Sequence, residues 1–496
     1  MRVLLVRPPV PPHTIGLKHM MVCEPLELEY AAAGLAGHEV EILDLLVERG
    51  FARRLRRFRP EVIGTSAYVT GVNEVKKLCR AAKRWNPRVL TVVGGVHASR
   101  VPEAFADAAV DCIALGDGTA LLPDIVAAFA GGRALAEVPG LALPVAGGVV
   151  RTAPRPYMGD PDALPFPRRD LVAHLARRYY YLFHRPVALL KTTWGCWYDC
   201  NFCFTWRITG GVAYARSPES IVAELAGIAA DDVYIVDDIF LINRARLARI
   251  AALLRSRGIR KKFLCFGRSD FIAENEAVIA EWAALGLSAV LIGLEAPTQG
   301  ELDAMAKRTT VDDNRRAIEV LRRHGVDIYG SLIPGPDYTP DDWTRLRRYI
   351  DDNGLYYLNI SPLTPLPGTT IWDRHKDTLA VSPEAHGLWD LSHAVLPTRM
   401  PLKAYYRELL RTYAAATLDP RRAKRLTLRP RPPFWSPASL RLWWGALRVF
   451  VQLLGAHRHH APRAIARAKD AGPAFVPRAT APAATAGPAA APAGVP

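Results

Sequence analysis

Lys191-Thr-Thr-Trp-Gly-Cys196-Trp-Tyr-Asp-Cys200-Asn-Phe-Cys203 is the stretch on which the reading of this chain turns. Three cysteines within eight residues, spaced CxxxCxxC, put three thiolates on one short loop. Thiolates are the usual ligands of iron–sulfur clusters. A loop of this spacing wraps three of them around one cubane and leaves the fourth iron without a protein ligand. That iron can chelate a small molecule through an amine and a carboxylate, and methionine derivatives offer both. A structural zinc site is the alternative. Zinc takes four ligands in a closed shell, and no fourth Cys or His lies nearby, His184 standing before the loop. Cys23, Cys79, Cys112 and Cys265 read as buried structural thiols.

Working outward, the loop follows a predicted strand at Ala188–Thr192. Further strands are predicted at Val233–Val236, Phe263–Phe266, Ala289–Ile292, Asp327–Leu332 and Tyr357–Ile360, with helical patterns between them. Six such units predict a partial (β/α)6 barrel. The cysteines then sit at the C-terminal end of its first strand, where barrel enzymes place their chemistry. Upstream, strands predicted at Val3–Val6, Val40–Leu43, Glu61–Ser66, Val89–Val93 and Asp111–Leu115 alternate with helices, two of them at Pro25–Gly37 and Val72–Trp85. With glycines after the strands, this predicts an α/β fold built on a doubly wound parallel sheet. Five prolines between Pro154 and Arg169 mark a linker. The expected order is a Rossmann-like domain over 1–145, a linker over 146–185, the barrel over 186–394, a helical basic region over 395–470, and an Ala/Pro-rich tail without fixed structure over 471–496.

The 496 residues, half of them hydrophobic, suffice for two or three domains. Seven cysteines in a chain this long make no disulfide framework and point to a reducing cytoplasm. The start MRVLLVRPP is not expected to be a secretory signal, and no apolar stretch reaches transmembrane length. Residues 401–496 hold 16 Lys and Arg against 3 Asp and Glu, so most of the +16 net charge lies there and not in the catalytic body. That distribution suits an anionic membrane surface or nucleic acid; a merely solvated basic tail explains it equally well.

The cysteine loop, with the aromatic Phe202 just before the third cysteine, resembles the signature of the radical S-adenosylmethionine (SAM) superfamily. The resemblance covers roughly residues 1–400. It implies a 4Fe–4S cluster on Cys196, Cys200 and Cys203, and SAM contacts from Phe202, Asp237, Asp238, Arg268 and Glu295, with Asp270 beside Arg268. Pro334-Gly335 and Pro365-Leu-Pro-Gly-Thr369 resemble later strand-end turns of the subfamily that carries an N-terminal cobalamin domain. Each carboxylate also has a plainer reading, since acids at strand ends often cap the next helix.

Ligands of open α/β sheets bind beyond the carboxyl ends of the strands, and glycine there permits close backbone approach. Thr65-Ser66, Gly94-Gly95-Val96-His97 and Gly116-Asp117-Gly118 resemble the cobalamin-binding domain of radical SAM enzymes, which implies corrin contacts from Thr65, Ser66, Gly94, Gly95, His97, Gly116, Asp117 and Gly118. The family often has Glu where Asp117 and Thr119 stand. The DxHxxG motif that supplies a lower axial histidine elsewhere is absent, Asp44 being followed by Leu45-Leu46. A nucleotide-binding or vestigial sheet is the alternative reading.

The resemblance implies a cobalamin-dependent methyltransferase. The reduced cluster would cleave SAM to a 5′-deoxyadenosyl radical, which abstracts hydrogen from an unactivated carbon, and cobalamin would supply a methyl group taken from a second SAM. Cyclisation or rearrangement without methyl transfer, and a cluster-bearing sensor or carrier without turnover, are the alternatives. Met20–Tyr30 and Tyr179–Phe204 resemble the hopanoid C-3 methylases, which implies a lipid substrate. An electron donor such as flavodoxin or ferredoxin is implied as a partner, nucleic acid is not, and the expected location is cytoplasmic with peripheral contact at the inner membrane face through residues 420–460. There, Ser439–Gly455 reads as an amphipathic helix with Trp443, Leu447, Phe450 and Leu454 on one stripe and Arg441, Arg448 and Gln452 on another face. Arg421, Arg422, Lys424, Arg425, Arg429, Arg431 and Trp435 precede it. The plainer expectation is that the stripe packs on the barrel.

Overall fold

The structure, a computed structural model, describes residues 1–417 and 436–460. The expected 471–496 tail and the basic run from Arg421 to Trp435 lie outside the described residues. Seven strands form the first sheet: β1 (Arg2–Arg7), β2 (Glu39–Asp44), β3 (Val62–Ser66), β4 (Leu90–Gly94), β5 (Cys112–Ala114), β6 (Leu141–Val145) and β7 (Gly148–Arg151). Their order is β2-β1-β3-β4-β5-β6-β7, parallel from β2 to β5. Side chains alternate between the faces, as the pleat requires. Val3 and Leu5 pack with helices Leu26–Ala33 and Gly118–Ala130, while Leu4 and Val6 pack with helices Phe51–Phe58 and Val72–Trp85. Helices cover both faces, so the sheet is doubly wound as expected.

Two local expectations are corrected. The helix expected over Pro25–Gly37 spans only Leu26–Ala33; Gly34 caps it where the chain lies close against the neighbouring helix, a Cβ there being 2.1 Å from the Thr119 carbonyl oxygen. The hairpin β6–β7 carries the sheet past residue 145 with two antiparallel pairings. Its strands are short, and Pro144 weakens the strand pattern in the sequence.

A second sheet holds β8 (Val187–Leu190), β9 (Asp232–Ile235), β10 (Lys262–Gly267), β11 (Leu287–Glu295), β12 (Asp327–Leu332) and β13 (Tyr357–Ile360), all parallel and in chain order. β8 and β13 do not pair, so this is a barrel with a seam. Leu190, Ile235, Cys265, Val290, Leu332 and Ile360 face the surrounding helices, and Leu189, Tyr234, Leu264, Ala289 and Tyr329 face the lumen.

Open strand edges need partners for their backbone groups, and side chains supply them here. Glu24 accepts from the Leu189 amide at 2.6 Å, and Arg169 donates to the Leu189 carbonyl at 2.6 Å. On the other edge the Tyr413 hydroxyl bonds both the amide and the carbonyl of Ile360, at 2.9 and 3.0 Å. Tyr413 belongs to helix Leu402–Thr417, against which helix Pro437–Gly455 packs. Asp44, which opens the position of the missing histidine motif, is fully buried and ties β2 to Arg7 and to the Tyr179 hydroxyl. Among the described residues no helix is long and apolar enough to cross a membrane.

Candidate active site between the sheet ends and the barrel mouth

The cysteine loop leaves β8 through a turn that only glycine can make. Gly195 has φ +87°, and a Cβ there would lie 2.2 Å from the Val212 carbonyl oxygen. Asp237 and Asp238, at the end of β9, anchor this exit. Asp237 is buried and accepts from the amides of Thr192 (2.5 Å) and Thr193 (3.0 Å) and from the Thr192 hydroxyl. Asp238 accepts from the Gly195 amide at 2.9 Å and from Lys191 at 3.1 Å. The structure thus places Asp237 in the foundation of the loop and leaves Asp238 at its surface. The two carboxylates, adjacent in sequence, do different work.

Beyond Gly195, Cys200 is buried and Cys196 and Cys203 are half-buried. Burial, with the neighbouring Cys203 and Cys200 adding to it, pushes the Cys196 thiol up to about 11, and burial raises Cys203 as well. The three thiols therefore share one enclosed space. Among the described residues no three His, Cys, Asp or Glu side chains sit close enough to share a single ion, and a cubane, whose irons are separate vertices, does not require it. Three soft donors without a fourth fit a cluster with one open iron. The loop is clamped from the end of β11: the Asn201 amide donates to Met305, its side chain donates to Ala304, and Arg308 pairs with Asp199.

That clamp carries a residue the sequence reading missed. Lys307 is buried and its ammonium lies 2.7 Å from Glu295. Burial opposes the Lys307 charge, but Glu295 and Cys200 outweigh it and raise its pKa. Glu295 ends β11 at a register shift with φ +58°, a left-handed conformation that costs a non-glycine residue energy and clusters at functional sites. Phe202 packs with Ala296, Leu302 and Met305, its ring 6.0 Å from the Lys307 ammonium. The Arg268 guanidinium lies 3.5 Å over the Tyr198 ring and bonds Asp270 and the Lys307 carbonyl. Phe202, Arg268, Glu295 and Lys307 thus gather beside the cysteines. Pro334-Gly335 and Thr369 do not join them. The two turn carbonyls of Pro334 and Gly335 accept from Tyr405, and Thr369 caps helix Thr370–His375.

Opposite the loop, β3, β4 and β5 end in the glycine-rich turns. Thr65 is buried and its hydroxyl has no partner among the described residues. A Cβ on Gly94 would make only ordinary van der Waals contacts, with Ala114 and the Thr65 carbonyl each 3.9 Å away, so the backbone has room for a ligand to approach. Gly95 differs: its φ is +101°, and a Cβ would lie 2.8 Å from the Ser66 hydroxyl. Gly116, at φ +150°, also needs the freedom of glycine. Asp117 spends its carboxylate capping helix Gly118–Ala130 through the Thr119 amide, so it shapes the turn. His97 is buried against Phe105 and His386, and burial lowers its pKa to about 4. An unpaired hydroxyl, bare backbone and a neutral imidazole fit a flat ligand rich in amide groups, as a corrin is.

Two side chains beside these walls, Glu27 and Tyr68, are not singled out by the sequence reading. Tyr68 is 69% exposed, yet burial pushes its hydroxyl up to about 12, with Glu27 adding to the effect. Glu27 is likewise exposed, and burial raises its pKa against the pull of Arg7. Tyr68 comes from the loop after β3, Glu27 from helix Leu26–Ala33, and both feel Asp238 or Arg7. Both residues therefore lie within electrostatic reach of the charged groups near the sheet ends. Glu27 lies within the Met20–Tyr30 stretch but nothing there marks it as a site residue, and Tyr68 belongs to none of the quoted motifs.

A family model described as the B12 binding domain matches residues 12–126, and one described as the Radical SAM superfamily matches residues 190–350. The hopanoid C-3 methylase of Methylococcus capsulatus is 33% identical over 399 residues, covering 78% of this chain and 75% of that protein. The chain belongs to the cobalamin-binding radical SAM enzymes. The anaerobic magnesium-protoporphyrin IX monomethyl ester cyclase of Rubrivivax gelatinosus is 26% identical over 400 residues, covering 77% of this chain and 71% of that protein. The radical SAM methyltransferase TsrM from Kitasatospora setae, solved with cobalamin and a 4Fe–4S cluster, shares the fold: TM-score 0.64 at 18% identity over 95% of this chain and 99% of that one. Within this family the protein is a cobalamin-dependent radical SAM methyltransferase, with a 4Fe–4S cluster, SAM and cobalamin as its cofactors.

Proposed function

We propose that this enzyme methylates a hopanoid at C-3. The observation that carries the reading is the 33% identity to a hopanoid C-3 methylase across both the sheet domain and the barrel. The barrel interior supports it. Tyr181, Tyr234, Phe266, Tyr329 and Tyr357 form a chain of ring contacts, with centroids 5.0 Å apart for Tyr181–Tyr234 and 5.1 Å for Tyr329–Tyr357. Phe266 remains 41% exposed at the mouth end of β10. An aromatic floor suits a rigid, apolar polycycle, which gains binding energy from buried area and needs few polar partners.

When bound, the cofactors supply a hydrogen-abstracting radical and a methyl donor. The chain supplies placement. Cys196, Cys200 and Cys203 hold the cluster. Phe202, Arg268, Glu295 and Lys307, which gather beside the cysteines, would position SAM, with Asp238 at the exit of the loop. Thr65, Ser66, Gly94, Gly95, His97 and the 116–118 turn would seat the corrin at the sheet ends. Reduced flavodoxin or ferredoxin delivers the electron. Purified holoenzyme, reduced and given a hopanoid acceptor, is expected to form 5′-deoxyadenosine and S-adenosylhomocysteine in step, and cells lacking the gene should lose the methylated lipid. 5′-Deoxyadenosine without S-adenosylhomocysteine would replace methyl transfer by cyclisation or rearrangement. Unchanged methylhopanoids in the deletion strain would remove this substrate.

A further inference from the structure

A surface helix ordinarily buries one apolar stripe and shows water a polar face. Helix Pro437–Gly455 departs from this. Its docked side is formed by Ser439, Leu442, Gly445 and Leu453, with Val449 partly buried beside them. At Gly445 the helix lies flush on the chain, since a Cβ there would sit 2.7 Å from the His19 Cβ. Arg441 completes the anchorage, stacked 3.8 Å over the Tyr180 ring and donating to the Leu182 carbonyl at 2.8 Å. The opposite side is apolar as well. Leu440, Trp444, Leu447, Phe450, Val451 and Leu454 are each between 40% and 58% exposed, and at 3.6 residues per turn they share about a third of the circumference. The stripe expected to pack on the barrel therefore faces outward, and a different set of residues packs.

We infer that this outward face seats the enzyme on an anionic lipid bilayer, with the helix lying in the plane of the headgroups. The charge around it selects that occupant. No acidic residue occurs from Ser436 to His460, while Arg448 and Arg458 are exposed on the helix and just beyond it, and Lys18 and Arg185 are exposed near its docked side. The flanking sequence repeats the pattern: Arg421, Arg422, Lys424, Arg425, Arg429 and Arg431 precede the helix against Asp419 alone, and Arg463, Arg467, Lys469 and Arg478 follow it against Asp470. A second copy of the same face would bring these cations together, whereas an anionic leaflet neutralises them. Nineteen residues with arginines at both 441 and 448 do not cross a bilayer, and such a helix rests at the interface with its apolar side among the acyl chains. The helix packs on Leu17–His19 and on helix Leu402–Thr417, whose Tyr413 covers the Ile360 edge at the barrel seam. The lipid surface is thereby held beside the open edge of the barrel.

The test is sedimentation of full-length holoenzyme with vesicles of phosphatidylcholine alone or mixed with phosphatidylglycerol, at low and high salt. The expected result is binding to the phosphatidylglycerol vesicles that weakens with salt. Binding should fall by about tenfold or more when Leu447→Glu, Val451→Glu and Leu454→Glu are combined. Those three side chains are exposed, so the triple variant should keep its cofactor absorbance and its melting temperature. Wild-type protein that stays in the supernatant with both vesicles, or a triple variant that binds like wild type, would overturn the proposal. So would a wild-type dimer that the triple variant dissociates, because the face would then belong to a second copy. The assay contains no substrate, so its failure leaves the methyl-transfer reading intact.

Discussion

Replacing Asp237 by Ala separates a structural from a substrate-binding role at the end of β9. The Asp237 carboxylate accepts from two buried backbone amides, Thr192 at 2.5 Å and Thr193 at 3.0 Å, and from the Thr192 hydroxyl. Alanine leaves both amides without an acceptor in a place water does not reach. Each orphaned donor costs about 1–3 kcal/mol, so the variant should lose about 2–6 kcal/mol. For a domain of the barrel's size, about 2–4 °C per kcal/mol puts the fall in melting temperature at about 5–20 °C. The loop leaving β8 should loosen with it, so iron per chain should drop as well. Asp238→Ala is the control: its carboxylate is partly exposed beside Lys191, and the melting temperature should change little. Thermal melts of the apo and iron-loaded proteins, with iron quantified, read both effects. An Asp237→Ala protein with wild-type melting temperature and iron content but weakened SAM binding would refute the argument and restore Asp237 as a SAM contact.

Cys196→Ala, Cys200→Ala or Cys203→Ala should each abolish SAM cleavage and lower iron from about four per chain. Because the Cys196 thiol is held up at about 11 and Cys203 is raised, cluster assembly should accelerate as pH rises, which timed anaerobic reconstitution would show. Gly94→Leu should fold normally and lose cobalamin by about tenfold or more, since a Cβ there meets only ordinary contacts at 3.9 Å and the longer side chain would extend from the strand end toward the expected ligand; Gly95→Ala should lose stability with or without cobalamin, because its backbone is left-handed. Equilibrium dialysis against hydroxocobalamin, paired with melts, distinguishes the two. His97 and His386 are buried with pKa values lowered to about 4 and about 3. Unfolded chains take up protons there below about pH 6.5 while the native state does not, so stability present above that pH is lost as pH falls towards 4, by about 1.4 kcal/mol per histidine at pH 5.5. His386→Phe should remove about half of that loss in pH-dependent melts.

Short-range pattern made much of the site legible. CxxxCxxC with Phe202 is a local signal, and the strand ends that carry Arg268 and Glu295 follow from hydrophobic runs of predictable length. The strands β12 and β13 and the helix Val72–Trp85 coincide with their predicted bounds. The hairpin β6–β7 escaped notice because its strands are short and one contains proline. Lys307 escaped because its partner, Glu295, is twelve residues away across a turn, with no periodicity to link them.

By itself, the sequence determined the two-domain α/β plan, the cysteine loop and the glycine-rich sheet ends, because each rests on chemistry carried by residues close together in the chain. Tertiary structure alone decided what depends on distant parts meeting. It separated Asp237, buried under the loop, from Asp238, at the surface. It closed the strand edges with Glu24, Arg169 and Tyr413. It also chose which of two apolar faces of helix Pro437–Gly455 would pack. Periodicity shows that a helix has an apolar stripe, but only the shape of the opposing surface settles which stripe it meets, and here Gly445 against His19 gave the closer fit.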